Sequence, residues 1–158
     1  MTALSTQAVQ VGQLAPDFTL ASTSGHPVTL SSYRGQQNVL LAFFPAAFSS
    51  VCTAEFCDMR DTYDQYAAHH VTVHPISVDS LHSLREFKSK HGMQVELLSD
   101  FKREVSAAYG TLIVDKLLSN RAYFLIDKEG VVRWAQIEAT PGSRRENAEV
   151  LAEIAKLG

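Results

Sequence analysis

The stretch Asn38-Val39-Leu40-Leu41-Ala42-Phe43-Phe44-Pro45-Ala46-Ala47-Phe48-Ser49-Ser50-Val51-Cys52-Thr53-Ala54-Glu55-Phe56-Cys57 decides how the chain is organised. After Asn38, six apolar residues from Val39 to Phe44 run up to Pro45, the pattern of a buried central strand stopped by a residue without an amide donor. After Phe48 the period changes. Cys52, Phe56, Met59, Tyr63 and Tyr66 recur at alternating spacings of four and three, which predicts a helix over about 50–68 with one apolar seam. Ser49 or Ser50 is suited to cap that helix. Cys52 falls in its first turn, where unpaired amides and the positive end of the helix dipole favour a thiolate and can bind an oxygen of an incoming molecule. Cys52 also lies on the apolar seam. From spacing alone it reads equally well as a small buried side chain at the start of a core helix.

Outward from this segment the periods remain short. Asp17–Leu20 and Pro27–Leu30 flank Ser24-Gly25-His26, predicting an N-terminal β-hairpin. Val71–Val78 reads as a strand, and a helix beginning near Leu81 stops at Gly92. A short helical piece is expected at about 102–108. Ala122–Ile126 and Val131–Ile137 read as strands around the turn Asp127-Lys128-Glu129-Gly130. A last helix is expected after Pro141-Gly142, opened by a capping box of Ser143 and Glu146. One strand–helix–strand unit plus one antiparallel hairpin implies an α/β chain with a mixed β-sheet flanked by helices, and a thioredoxin-like fold suits that order.

The chain has 158 residues, 46% hydrophobic and 20% charged, and reads as a single domain over 1–158 with about 1–10 loosely ordered. A net charge of −3 offers no electrostatic footprint for nucleic acid or anionic lipid. The first residues carry no basic cluster followed by an apolar run, and no stretch is long enough to span a membrane, so a cytoplasmic location is expected. Two cysteines make a disulfide-stapled scaffold implausible and leave redox or structural roles for the thiols.

Three motifs in order along the chain resemble the peroxiredoxin family. Pro45, Ser49 and Cys52 match P-x-x-x-[T/S]-x-x-C. Gly12-Gln13-Leu14-Ala15-Pro16-Asp17-Phe18 matches G-x-x-A-P-x-F. Arg121 stands where the family carries an arginine before a late strand. The resemblance implies a thiol peroxidase with Cys52 as the nucleophile and no metal or organic cofactor. It implies that Ser49 hydrogen-bonds thiolate and peroxide, that Arg121 stabilises the thiolate and polarises the peroxide, and that Pro45 shields the site. Glu55 completes a C-x-x-E pattern seen in the peroxiredoxin Q and alkyl hydroperoxide reductase E groups, and can orient Arg121 or simply favour the first helical turn. The implied partners are a peroxide and thioredoxin or a similar thiol reductant, with a monomer or a homodimer as the assembly.

Cys57 sits five positions after Cys52. That spacing resembles peroxiredoxin Q, also called bacterioferritin comigratory protein, whereas Phe43–Phe48 resembles the alkyl hydroperoxide reductase E group. Five helical residues turn about 140° and rise about 7.5 Å, which puts the two Cα atoms roughly 8–9 Å apart. A disulfide does not reach across that gap. Resolution of oxidised Cys52 by Cys57 therefore requires the first turns of the helix to unwind. Cys57 shares the polar side of the helix with Asp58 and Asp61, which fits a reactive thiol better than a packed one. A one-cysteine peroxidase served by an external thiol, and a peroxide-sensing switch, are the alternatives.

Other signals carry less. His69, His70 and His74 do not converge on a metal from a helix end and a strand. Trp134 reads as core. Arg144 and Arg145 are expected to open the last helix, and 115–120 to form a loop with exposed leucines.

Overall fold

A computed structural model describes residues 9–157; the loose segment expected over about 1–10 lies mostly outside them. The N-terminal hairpin forms as β1 (Thr19–Ser22) and β2 (Val28–Thr29), followed by a 3-10 turn at Leu30–Tyr33. Then come β3 (Asn38–Phe43), α1 (Ser50–Asp61), α2 (Tyr63–Ala68), β4 (Val71–Ser77), α3 (Leu81–His91), β5 (Leu98–Ser99) and α4 (Glu104–Ala108). The chain ends with β6 (Leu112–Ile113), β7 (Leu118–Ser119), β8 (Ala122–Ile126), β9 (Val132–Ile137) and α5 (Asn147–Ala155).

Seven strands form one mixed sheet in the order β2-β1-β5-β4-β3-β8-β9. β3 lies at its interior, parallel to β4 and antiparallel to β8. The period of two along β3 divides the core. Leu40, Ala42 and Phe44 join a cluster with Cys52, Phe56, Leu84, Phe87, Tyr123 and Ile154, so α1, α3 and α5 cover that face. Val39, Leu41 and Phe43 face the opposite side, with Val105 and Tyr109 at α4 and Leu30 in the 3-10 turn. The fold is thioredoxin-like, as the element order implies.

Three local expectations give way. The helix expected over 50–68 breaks at Thr62, whose backbone leaves helical geometry at φ −114°, ψ 18°. Its Oγ1 donates to the Asp58 carbonyl at 3.0 Å and accepts from Asn147 Nδ2 at 3.1 Å, so a β-branched hydroxyl competes with the helical ladder. The last helix starts at Asn147, and the Ser143–Glu146 capping box is absent. Glu146 is itself extended at the cap, Ser143 pairs with Thr140, and Arg144 and Arg145 are held in ion pairs before the helix begins. The loop expected at 115–120 is part of the β6–β7 hairpin, with Leu117 exposed at its turn in the left-handed region at φ 54°. Strand β5, two residues long and buried, carries no period to read.

Candidate active site

The strand–loop–helix junction is tied down on both sides. Beyond β3 the Phe44 amide still donates to the Ile76 carbonyl, at 2.9 Å. Pro45 is buried. Two residues on, the Ala47 amide donates to Asp79 Oδ2 at 2.8 Å, and that same oxygen accepts the Ser77 hydroxyl at 2.6 Å. The chain then turns at Phe48, which sits in the left-handed region at φ 68°, a costly conformation for an aromatic residue. The Phe48 ring rests edge-on against Phe87, with centroids 5.2 Å apart.

Ser49 takes the N-cap position of α1 with extended backbone, and its carbonyl accepts the Thr53 amide at 2.9 Å. Its hydroxyl does not cap the helix. Instead it donates to the Ala46 carbonyl at 3.0 Å, on the exposed side of the loop. The contact to the Cys52 sulfur that the motif implies is thus replaced here by a bond that staples the loop, and the first-turn amides are left without a side-chain cap.

Cys52 is fully buried at 0% exposure. Arg121 reaches it from the position just before β8, donating Nη2 to Sγ at 2.9 Å. The guanidinium is 1% exposed and held on three sides. Nη1 donates to Glu55 Oε1 at 2.5 Å, while Nε and Nη2 donate to the Pro141 carbonyl at 3.2 and 3.1 Å. Burial works against charge on Arg121, but the Glu55 carboxylate and the Cys52 sulfur outweigh it and hold the guanidinium protonated, above its ordinary value. Burial pushes the Glu55 carboxyl up, against the pull of the Arg121 charge and of a hydrogen bond from Tyr123. The second Glu55 oxygen accepts that bond from the Tyr123 hydroxyl, which in turn accepts the Arg145 amide at 3.1 Å. Arg145 grips Glu138 through Nε and Nη2 at 2.8 and 3.0 Å, and Arg144 pairs with Asp58 at 2.8 Å. The two arginines expected in the last helix therefore brace the site from the loop before it.

The structure brings Cys52, Glu55 and Arg121 together, with Pro45 and Ser49 in the loop above. Cys57 is half-buried on another side of α1. Tyr123 and Asp79 escaped the sequence reading. Tyr123 was findable, because it follows Arg121 by two positions on a strand and so shares its face. Asp79 has no such marker. His74 is buried, between the Tyr33 hydroxyl and the Glu96 carbonyl. Among the described residues no His, Cys, Asp or Glu group is arranged to hold a metal ion, and no helix is long and apolar enough to cross a membrane.

What a buried cysteine bonded to a carboxylate-anchored arginine does is clarified by similar proteins. A family model described as AhpC/TSA matches residues 11–135. Alkyl hydroperoxide reductase E of Mycobacterium tuberculosis is 36% identical over 140 residues, covering 87% of this chain and 91% of that protein. Peroxiredoxin Bcp of Bacillus subtilis is 32% identical, covering 82% and 87%. Among solved structures, peroxidoxin BcpB of Mycobacterium tuberculosis superposes with a TM-score of 0.83 at 27% identity, covering 94% of this chain and 98% of that one. Reduced 2-Cys peroxiredoxin of Plasmodium vivax gives a TM-score of 0.87 at 28% identity, covering 94% and 82%. Both groups that the motifs resemble are represented, and with motif and fold in agreement the chain belongs to the AhpC/TSA family and is a peroxiredoxin, a thiol-dependent peroxidase.

Proposed function

We propose that this peroxidase reduces hydrogen peroxide and alkyl hydroperoxides at Cys52, that Cys57 resolves the oxidised sulfur as an intramolecular disulfide, and that thioredoxin or a similar dithiol donor restores the thiols. The observation that carries the reading is the 2.9 Å bond from Arg121 Nη2 to Cys52 Sγ inside a buried site. A guanidinium fixed beside the sulfur donates to it and stands ready for the charge that develops on the peroxide.

The thiolate attacks the nearer peroxide oxygen. The O–O bond breaks, the far oxygen leaves as water or an alcohol after taking a proton, and Cys52 becomes a sulfenic acid. Arg121 lies against the sulfur and the leaving electrons. Glu55 and the Pro141 carbonyl keep it in place, so Glu55 is a positioning residue. Pro45 excludes water from the end of β3. Ser49 holds the loop closed through Ala46. Because Cys52 is fully buried, a peroxide reaches it only when that loop or the first turn of α1 moves aside.

Cys57 then attacks the sulfenic sulfur, a disulfide forms and water leaves. With α1 regular from Ser50 to Asp61, the two cysteines stand roughly 8–9 Å apart at Cα, so this step needs the helix to open. The test is intact mass after one equivalent of hydrogen peroxide, with thiols blocked, for the wild type and Cys57→Ser. Loss of two hydrogens in the wild type with sulfenic acid in the variant supports both roles. Sulfenic acid in both leaves a one-cysteine enzyme served by an external thiol. No reaction at Cys52 overturns the proposal.

A further inference from the structure

Cys57 has a neighbour that the peroxide-reducing step does not use. Its Sγ lies 3.7 Å from Nδ1 of His91, the last residue of α3 and half-buried. The contact is built in from both helices. Arg60, three positions after Cys57, donates Nη1 to the His91 carbonyl at 2.7 Å and so pins the end of α3 against α1. The His91 ring packs edge-on against Phe87 with centroids 5.0 Å apart, and faces Phe48 at 6.5 Å. The charged groups around this cluster are Arg60, which also holds Asp61, and Lys90, whose Nζ stands 5.8 Å over the Phe48 ring. One cluster therefore joins the second thiol, an imidazole and the loop in front of Cys52.

We propose that His91 is the general base of the resolving step, a catalytic residue acting on Cys57. The inference rests on the reading that Cys57 resolves Cys52. The thiolate, not the thiol, is the nucleophile in disulfide formation, and a thiol within hydrogen-bond reach of an imidazole can be activated by it. His91 Nδ1 takes the Cys57 proton while α1 is still helical, since the contact exists in that form. The helix then opens and the Cys57 sulfur attacks the Cys52 sulfur. The S–O bond breaks, the S–S bond forms, the departing hydroxide takes a proton from solvent to leave as water, and the imidazolium gives its proton back to solvent. One sulfenic acid and one thiol become one disulfide and one water, with no outside oxidant. α3 does not have to unwind, so the base stays at its post while the nucleophile moves.

The experiment is rapid-quench intact mass on the full chain with one equivalent of hydrogen peroxide, for the wild type and His91→Gln, between about pH 6 and 9. Sulfenic acid at Cys52 appears first and reports a folded site. Conversion to the disulfide is expected to be about tenfold slower in the variant near neutral pH, with the gap closing toward pH 9 as hydroxide in solution takes over the work of the base. A second readout is iodoacetamide labelling of Cys57 in a Cys52→Ser background, which should slow by a similar factor when His91 is replaced. An unchanged disulfide rate, or one slowed equally at every pH, overturns His91 as the base while leaving Cys57 as the resolving thiol. A wild type that makes sulfenic acid but no disulfide overturns the resolving role itself, and the base with it.

Discussion

Glu55 and Arg121, 66 positions apart in sequence, form a 2.5 Å ion pair in which neither side chain is more than 4% exposed. The same guanidinium touches Cys52, so the carboxylate sets where the cation stands relative to the reacting sulfur. Breaking a buried pair leaves an uncompensated charge and costs about 3–5 kcal/mol. Glu55→Ala should therefore lower stability by about 3 kcal/mol in urea denaturation and slow peroxide reduction. Glu55→Gln, which keeps one carbonyl acceptor for Arg121 but meets the Tyr123 hydroxyl with an amide donor, should cost less on both counts.

Arg121→Lys keeps a positive charge but loses the planar fork that reaches sulfur, carboxylate and the Pro141 carbonyl together. The second-order rate with hydrogen peroxide should fall roughly 100-fold, the scale of losing one preorganised donor. The single tryptophan offers the probe, because Trp134 stacks on Tyr123 with centroids 5.9 Å apart and Tyr123 bonds Glu55. Stopped-flow fluorescence that shows an unchanged rate would remove Arg121 from the chemistry.

Disulfide formation should melt the first turns of α1. Hydrogen exchange across residues 52–60 is expected to show helical protection in the reduced protein and its loss in the oxidised one. The Cys57→Ser variant, treated with the same peroxide, should retain protection. Equal protection in both redox forms of the wild type contradicts local unwinding.

His74 gives a pH signature of its own. Nδ1 faces the Glu96 carbonyl at 2.9 Å, which only accepts, so this nitrogen carries the proton and Nε2 accepts the Tyr33 hydroxyl at 2.8 Å. Burial holds its pKa below the ordinary imidazole value of 6.5, against the opposing pull of Glu96. A depressed folded pKa means the unfolded chain takes the proton first. The contribution is thus fully present above 6.5 and is lost as the pH falls from there through the folded value. Thermal melts should show stability dropping over that window, and His74→Gln should flatten the drop. Glu96 adds acid sensitivity at lower pH: burial raises its pKa, but bonds from Lys88 and Thr23 and the Lys88 charge bring it below the ordinary carboxylate value.

The local patterns were legible because backbone period and side-chain polarity set them. The apolar run of β3, the seam of α1, the hairpins at 24–26 and 127–130 and the stop at Gly92 all follow from neighbours in sequence. So does half of the site, since Cys52 and Glu55 are three apart on one helix and must share a face. Motif resemblance added Arg121, although nothing in its neighbours marks it as buried. The tertiary structure decided the rest. Glu138 and Asp58 draw Arg145 and Arg144 out of the last helix, Asp79 anchors the loop through the Ala47 amide, and Tyr123 closes the bond chain on Glu55. It also set Ser49 on Ala46 and His91 beside Cys57. Helices and strands are chosen by interactions a few residues apart, whereas an ion-pair partner or an acceptor for a buried donor is chosen by whichever group the packed sheet and helices bring within about 3 Å.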